Sequence, residues 1–226
     1  MHNFGFLWIN KPLGISSFAV VRRLRKITGE KRIGHSGTLD PLASGVMILA
    51  IGRPYTKKLN EYLKLDKTYE AELTLGYNTA TWDAEGEKVF VSDNQPSEAE
   101  IKEILNSFIG EQMQVPPIFS ALKMGGQPLY KMARQGTDLL EENLGARRIT
   151  IYDLRLLSYE YPHLKFAVDV SSGTYIRSLA RDIGKKLGTG AYLSGLVRSK
   201  LGTVNLADCV DLETLTEKNY LDYLKE

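Results

Sequence analysis

The sequence predicts an α+β fold built on a mixed sheet flanked by helices, and three kinds of pattern support this class. Continuous apolar runs and alternating polar and apolar residues indicate strands. Helical spacing behind recognisable caps indicates helices, and Gly or Pro separates many of these segments. With 226 residues, 43% apolar and 25% charged, the chain is long enough to bury a core. We therefore expect a single domain over residues 1–226.

The N-terminal segment predicts a buried strand, a turn and an amphipathic helix. The apolar run FLWIN (6–10) ends at Lys-Pro-Leu-Gly, which is typical of a turn. Ser16 or Ser17 can cap the helix that follows. Every third helix residue is apolar, at Phe18, Val21, Leu24 and Ile27. Basic residues occupy the rest of the helix surface, at Arg22, Arg23, Arg25 and Lys26.

The middle of the chain predicts two strands and one helix. VMILAI (46–51) is continuously apolar, as in a strand buried on both faces. KTYEAELTLG alternates, so Tyr69 points with the apolar set. Ser97 and Glu100 form a capping box, and the apolar spacing behind them predicts a helix that continues until Gly110.

The C-terminal third predicts a hairpin, a helix and a further strand. RRITIYDLRLL (147–157) and LKFAVDVSS (164–172) alternate and flank a longer loop around Tyr-Pro-His. If the second strand persists through SSGTYIR, then Tyr175 and Arg177 share one face of it. A helix with apolar spacing then ends at Gly188, and GLVRSKLGTV predicts the last strand.

Several function classes lack their sequence signals. The single cysteine, Cys209, excludes an intramolecular disulfide and a CxxC pair, which favours a reducing cytoplasm. A net charge of +2 does not indicate nucleic-acid binding by itself, and no run approaches a membrane span. P-loop, GxGxxG and GxSxG motifs are absent, and three scattered histidines do not predict a zinc site. We therefore expect no metal.

The segment GHSGTLDPLASG (34–45) places an aspartate between a glycine-rich approach and a proline. Asp40 is either part of an Asp-Pro turn or a chemical group that the glycines leave accessible. His35 is either a surface residue or a site residue, and Arg177 either forms a structural ion pair or holds a buried carboxylate.

Residues 114–136 combine prolines and a Gly-Gly pair with aromatic and basic residues. Such a loop suits single-stranded RNA, because bases stack on aromatic rings and phosphates meet charge. A solvated basic surface explains the same composition. The basic residues concerned are Lys123, Lys131 and Arg134.

Taken together, these stretches resemble the TruB family of tRNA pseudouridine synthases over nearly the whole chain. The most specific motifs are GHSGTLDPLASG and SSGTYIRSLARDIG. NKPLGISSF, DKTYEAELTLG, PPIFSALKMGGQPLYKMARQG and LVRSKLG resemble further family motifs, in the family's order.

The resemblance implies a largely antiparallel central sheet and the isomerisation of uridine 55 in the T-loop of tRNA, without a cofactor. It assigns Asp40 as the catalytic aspartate and Arg177 as the arginine that pairs with it. The other implied substrate-binding residues are Lys11, His35, Tyr69, Tyr175 and Leu196, of which Tyr69 would stack on the uracil. Residues 114–136 resemble an RNA-gripping thumb loop. The implied RNA contacts are Arg22, Arg23, Lys123, Lys131 and Arg134.

The resemblance also implies tRNA as partner, in a cytoplasmic protein that needs no protein partner, and we expect a monomer. The chain ends about thirty residues after Arg198, which leaves no room for the C-terminal PUA-type domain that bacterial members usually carry. One alternative is an RNA-binding or tRNA-folding module in which catalysis is secondary. A metal-free glycosidase is another, but it would need Asp83 or Asp169 as a second carboxylate at the site.

Overall fold

The computed structural model describes residues 3–120, 122–135 and 144–226, without the side chains of Lys123, Tyr130 and Arg134. The chain forms two compact units. Unit 1 comprises Met1–Glu70 and Gly195–Glu226, and unit 2 comprises Ala71–Ser194. The sequence prediction of a single domain stays a prediction.

The described part of the chain contains both helices and strands, and several strands follow one another directly. The strands are β1 (Gly5–Lys11), β2 (Ile33–His35), β3 (Ala43–Ile51), β4 (Lys67–Leu75), β5 (Tyr77–Thr79), β6 (Lys88–Phe90), β7 (Gly110–Gln114), β8 (Lys123–Met124), β9 (Gln127–Pro128), β10 (Arg147–Glu160), β11 (His163–Val170), β12 (Ala191–Leu201), β13 (Val204–Asn205) and β14 (Val210–Asp211). The α-helices are α1 (Ser17–Thr28), α2 (Arg53–Thr56), α3 (Leu59–Leu63), α4 (Glu98–Asn106), α5 (Leu129–Arg134) and α6 (Ile176–Leu187). Short 3-10 helices cover Leu206–Asp208, Leu212–Thr214 and Tyr220–Tyr223.

Unit 1 is organised around β3. This strand is antiparallel to β1, with Gly5 opposite Ile51 and Lys11 opposite Gly45. It is also antiparallel to β2 and parallel to the C-terminal part of β12, where Leu196 lies opposite Ala43. β14 adds to the far side of β1 in parallel. The strand order is therefore β14, β1, β3, β12.

The two faces of β3 are buried in different clusters, because successive side chains of a strand point to opposite faces. Met47, Leu49 and Ile51 pack with the apolar side of α1. Val46, Ile48 and Ala50 belong to a second cluster that contains Leu59 from α3 and Leu201 from β12. The prediction that residues 46–51 form a strand buried on both faces is confirmed.

Unit 2 contains the strand order β4, β11, β10, β7, with only Ala71–Leu75 of β4 inside the unit. β10 is antiparallel to both β11 and β7. α4 lies against β10 and α6, and it begins with the predicted capping box between Ser97 and Glu100. In both units most strand pairs are antiparallel and helices cover the strands, so the predicted α+β class with a mixed, largely antiparallel sheet is confirmed.

Three local predictions are wrong in detail. α4 already ends at Asn106 and does not continue up to Gly110, which instead begins β7. The hairpin loop is short, since β10 continues to Glu160 and β11 begins at His163. Tyr175 and Arg177 do not share a strand face, because β11 ends at Val170 and Arg177 lies in the first turn of α6.

The apolar face of α1 also differs from the prediction. Ser17, Val20, Val21 and Leu24 are its buried residues, whereas Phe18 is 60% exposed. A spacing of three residues drifts around a helix that has 3.6 residues per turn, so the stripe starts outside the core at Phe18 and reaches the core side at Val21 and Leu24. The Phe18 ring instead lies 5.8 Å from the guanidinium of Arg25.

Candidate active site

The loop that carries Asp40 joins β2 to β3 and is closed by hydrogen bonds at its base. The Ser36 amide donates to the Ile48 carbonyl at 2.9 Å, and the Ser36 hydroxyl accepts from the Ile48 amide at 3.2 Å. Next to the carboxylate, the Ala43 amide donates to the Asp40 carbonyl at 3.0 Å. Asp40 itself is half-buried. The loop therefore holds its carboxylate on an ordered backbone, which confirms the turn that the sequence predicts before a core strand.

Two contacts from the start of the chain hold the tip of this loop. The buried Ser17 hydroxyl accepts from the Leu39 amide at 2.8 Å and lies 2.9 Å from the Leu39 carbonyl, to which it donates. The Gly14 amide donates to the Pro41 carbonyl at 2.8 Å. Both residues that flank Asp40 in sequence are therefore attached to the segment that leads into α1.

Arg198 on β12 contacts the same loop from another direction. Its side chain is fully buried, and its Nε donates to the Val46 carbonyl at 2.7 Å. Its Nη2 donates to the Gly37 carbonyl at 3.3 Å. The sequence offered only a weak signal for this contact, namely one arginine within the LVRSKLG motif.

Lys11 is a second buried cation in unit 1, with an exposed fraction of 0%. Its Nζ donates to the carbonyls of Pro12 and Ile15 at 2.9 and 2.7 Å. The pKa of Lys11 is lowered to about 8, chiefly by burial; the negative charge of Asp40 opposes this shift, and the positive charge of Arg198 adds to it. Lys11 is therefore close enough to the Asp40 carboxylate for the two charges to interact.

His35 lies at the end of β2 and is half-buried. Its pKa is lowered by burial and then by the charge of Arg198, while hydrogen bonding to the backbone of Gly37 acts in the opposite direction. The imidazole is consequently neutral near pH 7. Its Nδ1 is buried and has no hydrogen-bond partner among the residues that the structure describes.

Lys67, Tyr69 and Leu196 complete this part of unit 1. Burial lowers the pKa of Lys67 to about 8, and Arg198 contributes to the shift. Tyr69 is buried with the apolar side of β4, as its alternation predicts. Leu196 lies opposite Ala43, where the Asp40 loop enters β3.

Arg177 and Tyr175 lie in unit 2, at the start of α6. Arg177 Nη1 lies 3.3 Å from Oδ2 of Asp83, and both side chains are buried. The guanidinium also donates to the carbonyls of Thr81 and Phe119 at 3.3 and 2.8 Å. The backbone of Tyr175 exchanges two hydrogen bonds with the side-chain amide of Gln114, at 2.8 and 3.1 Å. Arg177 therefore has a fixed orientation within its unit.

The Asp83 carboxylate is itself fixed by a tight turn. It accepts from the Thr81 hydroxyl at 2.6 Å and from the Glu85 amide at 3.0 Å. Between them, Trp82 has φ of +59°, which is unusual for a bulky residue. The Arg181 guanidinium lies 4.0 Å from the centre of the Trp82 ring and stacks on it. The sequence assigned no role to this turn.

Two family models match the chain. The model of the N-terminal domain of TruB family pseudouridylate synthases matches residues 25–176, which is more than half of the sequence. The chain belongs to the TruB family. The model of the tRNA pseudouridylate synthase B C-terminal domain matches residues 177–226.

Named TruB relatives are similar over most of their length. The tRNA pseudouridine synthase B of Protochlamydia amoebophila is 47% identical over 210 residues, which are 93% of this chain and 79% of the relative. That of Clostridium acetobutylicum is 47% identical over 215 residues, which are 95% of this chain and 73% of the relative. A chain in the crystal structure of a Cbf5-Nop10-Gar1 complex matches with a TM-score of 0.73 and 29% identity, covering 96% of this chain and 55% of that one. The protein therefore spans about half the length of that solved chain.

The residues that resemble TruB site residues are divided between the two units. Unit 1 contains Lys11, His35, Asp40, Tyr69 and Leu196, and unit 2 contains Tyr175 and Arg177. Within unit 1 the structure brings the Asp40 loop together with Lys11 and His35 through Arg198. The pairing of Arg177 with Asp40 that the resemblance implies stays a prediction.

The basic residues predicted to contact RNA are partly described. Arg22 and Arg23 are exposed on α1, and Lys131 is exposed on α5. The side chains of Lys123 and Arg134 lie outside the described part of the chain, as do residues 121 and 136 of the predicted thumb loop. Over the described ranges, no three His, Cys, Asp or Glu side chains are placed to hold a metal ion, and no helix is long and apolar enough to cross a membrane.

Proposed function

We propose that this protein converts uridine 55 in the T-loop of tRNA to pseudouridine. The observation that carries the proposal is Asp40, the only carboxylate of the GHSGTLDPLASG motif, on a loop anchored on both sides of it in a chain of the TruB family. The named relatives are tRNA pseudouridine synthases, which supports tRNA as the substrate.

The reaction breaks the N1–C1′ glycosidic bond, rotates the uracil and forms a C5–C1′ bond. C5 loses its proton and N1 gains one, so the reaction is an isomerisation that consumes no co-reactant. The Asp40 carboxylate acts as a nucleophile at C1′ or as a base at C2′, and both routes require its ionised form. The target uridine must leave its stack to reach a side chain on a protein loop.

The surroundings of Asp40 in unit 1 support this role. A rigid loop keeps the carboxylate in place, so that little free energy is spent on ordering it during the reaction. The positive charge of Lys11 favours the ionised carboxylate. Because Lys11 is fully buried and donates to backbone carbonyls, we assign it to the support of the loop and not to contact with RNA.

The remaining site residues take the roles that the family motifs imply. Tyr69 stacks on the uracil, and Tyr175 and Leu196 line the pocket for the base. His35, neutral and half-buried at the end of β2, contributes a hydrogen-bonding group that positions the nucleotide. Arg177, oriented by Asp83, supplies positive charge to the Asp40 carboxylate.

The RNA is held by exposed cations. Arg22, Arg23 and Lys131 contact phosphates of the T-arm, together with Lys123 and Arg134 of the thumb loop at 114–136. The protein acts as a monomer without a protein partner, and the predicted cytoplasmic location stays a prediction. The proposed site residues account for the reaction within one polypeptide and without a cofactor.

The test is pseudouridine formation in a T-arm stem-loop RNA by the wild type, Asp40→Asn and Asp153→Asn. Asp153 lies on β10 and pairs at the surface with Arg155, so its variant controls for the loss of a carboxylate. We expect product from the wild type and Asp153→Asn, and none from Asp40→Asn. RNA binding by Asp40→Asn should persist. Equal product from all three would contradict the proposal, and binding without product by the wild type would favour an RNA-binding module.

A further inference from the structure

Arg198 is a buried arginine to which the sequence motifs assign no role. It is 1% exposed, yet its guanidinium makes no ion pair within 4.0 Å with a carboxylate among the residues that the structure describes. Within the described part of the chain, its hydrogen bonds go instead to two backbone carbonyls, those of Gly37 and Val46. Asp40 lies between these two positions in sequence. The side chain of Arg198 thus connects the segment before Asp40, at Gly37, with the segment after it, at Val46.

The backbone of Arg198 contacts the same loop closely. Arg198 lies opposite Gly45 in the parallel pairing of β12 with β3. Gly45 has φ of +106°, and a Cβ at this position would collide with the carbonyl oxygen of Arg198. Only glycine fits such an approach. Side chain and main chain of one residue therefore hold the loop at three points, namely Gly37, Gly45 and Val46.

The charge of Arg198 is costly at this place. It acts on Lys11, His35 and Lys67, and it lowers the pKa of each of them. Cations in a protein interior repel one another and lose their hydration, so an apolar side chain of similar size would be expected to serve stability equally well. Negative charges act on the two lysines in turn, that of Asp40 on Lys11 and that of Asp66 on Lys67, and the charge of Arg198 also acts on the Cys209 thiol. The hydrogen bonds to the Asp40 loop thus explain why a guanidinium occupies this position, whereas core packing alone does not.

We propose that Arg198 is a positioning residue for catalysis, whose planar guanidinium ties Gly37 to Val46 and so holds the Asp40 carboxylate in its reactive place. Arginine suits this task because its donors form a rigid fork that reaches two carbonyls at once, whereas lysine presents a single ammonium group. The inference rests on the proposed function, since it assumes that Asp40 carries the reaction. Arg198 itself is buried and acts through the loop.

The test compares Arg198→Met and Arg198→Lys with the wild type. The matched control is Lys200→Met, which removes one positive charge from an exposed position of the same strand. Rates on the T-arm stem-loop are measured at saturating and limiting RNA. We expect Arg198→Met to lower kcat by at least about tenfold with little change in KM, since small displacements of a catalytic group are costly. Arg198→Lys should recover part of the loss, and Lys200→Met should match the wild type.

A second readout, made on folded variants, tests whether Arg198 acts on the site where the structure places it. The His35 imidazole is followed by NMR as pH is varied. Because Arg198 lowers the pKa of His35, that pKa should rise in Arg198→Met and stay unchanged in Lys200→Met. If Arg198→Met does not fold, Arg198→Lys decides, with a reduced kcat expected at an unchanged melting temperature.

The outcomes distinguish this inference from the proposed function. A wild type that forms no pseudouridine overturns the proposed function. An active wild type with equal kcat in Arg198→Met, or in a folded Arg198→Lys when Arg198→Met does not fold, overturns the positioning role alone. A loss of kcat that matches the unfolded fraction of the variant also overturns it, as does an unchanged pKa of His35 in Arg198→Met.

Discussion

The guanidinium of Arg177 lies 3.3 Å from the carboxylate of Asp83, and both side chains are buried within unit 2. Asp83 receives two further hydrogen bonds from its own turn, and Arg177 donates to two carbonyls. Each charge is therefore surrounded by compensating polar groups. A buried pair of this kind orients the arginine strongly, because moving either partner leaves a charge with reduced compensation.

Removing the Asp83 carboxylate should be far more damaging than removing a surface one. We expect Asp83→Ala to lower the free energy of unfolding by about 3 kcal/mol. Asp153→Ala, which removes the surface partner of Arg155, should cost less than about 1 kcal/mol. Denaturant unfolding of both variants measures the difference. Equal losses would show that the Arg177 environment does not depend on Asp83. Pseudouridine formation should fall in Asp83→Ala only.

Most of the fold could be predicted because its signals are local. The capping box of α4 joins residues three apart, and the burial of Tyr69 with Ala71 and Leu73 follows from strand alternation. The start of α6 could not be predicted in the same way. Tyr175 makes no side-chain cap, and its backbone is bound by Gln114, 61 residues earlier. Only the folded chain brings that partner to the end of β11.

The candidate site shows the same limit. Asp40 could be identified from its motif, but its supports are distant in sequence. Ser17 binds Leu39 across 22 residues, and Arg198 binds Gly37 across 161. Ser17 and Arg198 lie in the motifs NKPLGISSF and LVRSKLG, but neither motif indicates which distant residue the side chain binds. Sequence therefore indicated which residue carries the chemistry and not what holds it in place.

Ser16 and Ser17 are adjacent, and their variants should separate helix stability from catalysis. Ser16 caps α1 by accepting from the Ala19 amide, so Ser16→Ala should cost about 1 kcal/mol of stability and leave kcat unchanged. Ser17→Ala removes both hydrogen bonds to Leu39. We expect it to cost about 2 kcal/mol and to lower kcat as well. Thermal unfolding and stem-loop modification measure the two effects. A similar kcat in both variants would contradict a role for Ser17 in the Asp40 loop.

Gly45 should tolerate a side chain much less well than Gly29. Both have positive φ, but a Cβ at Gly29 meets nothing within 4 Å, whereas one at Gly45 meets the backbone of Arg198. Gly29→Ala should therefore cost about 1 kcal/mol, from backbone strain alone. Gly45→Ala should cost at least about twice as much, because β12 must also move. Denaturant unfolding tests this, and equal costs would show that β12 shifts away without penalty.

The stability of the protein should depend on the titration of Lys11. The pKa of Lys11 is about 8 in the folded protein, against an ordinary value of 10.5. Between these values the unfolded chain holds a proton that the folded chain has lost, so this contribution to stability rises with pH. We compare the unfolding free energies of the wild type and Lys11→Met from pH 7.5 to pH 10. The wild type should gain stability relative to the variant across this window. As a control, the difference in unfolding free energy between Lys200→Met and the wild type should not change with pH. If the curves of unfolding free energy against pH are parallel for Lys11→Met and the wild type, the prediction is wrong.

The exposed arginines of α1 offer a direct test of where RNA binds. Arg22 and Arg23 project from the surface, and phosphate contacts release counterions, so affinity should fall as salt rises. The double variant Arg22→Ala/Arg23→Ala loses two phosphate contacts. The slope of log affinity against log salt concentration should therefore become shallower by about 1.5. The matched control removes Arg147 and Arg148, an exposed arginine pair on β10, and so changes net charge equally. Because only a specific contact distinguishes the two pairs, the control should keep the wild-type slope. Identical slopes for both double variants would mean that overall charge, and not the α1 surface, determines binding to the T-arm.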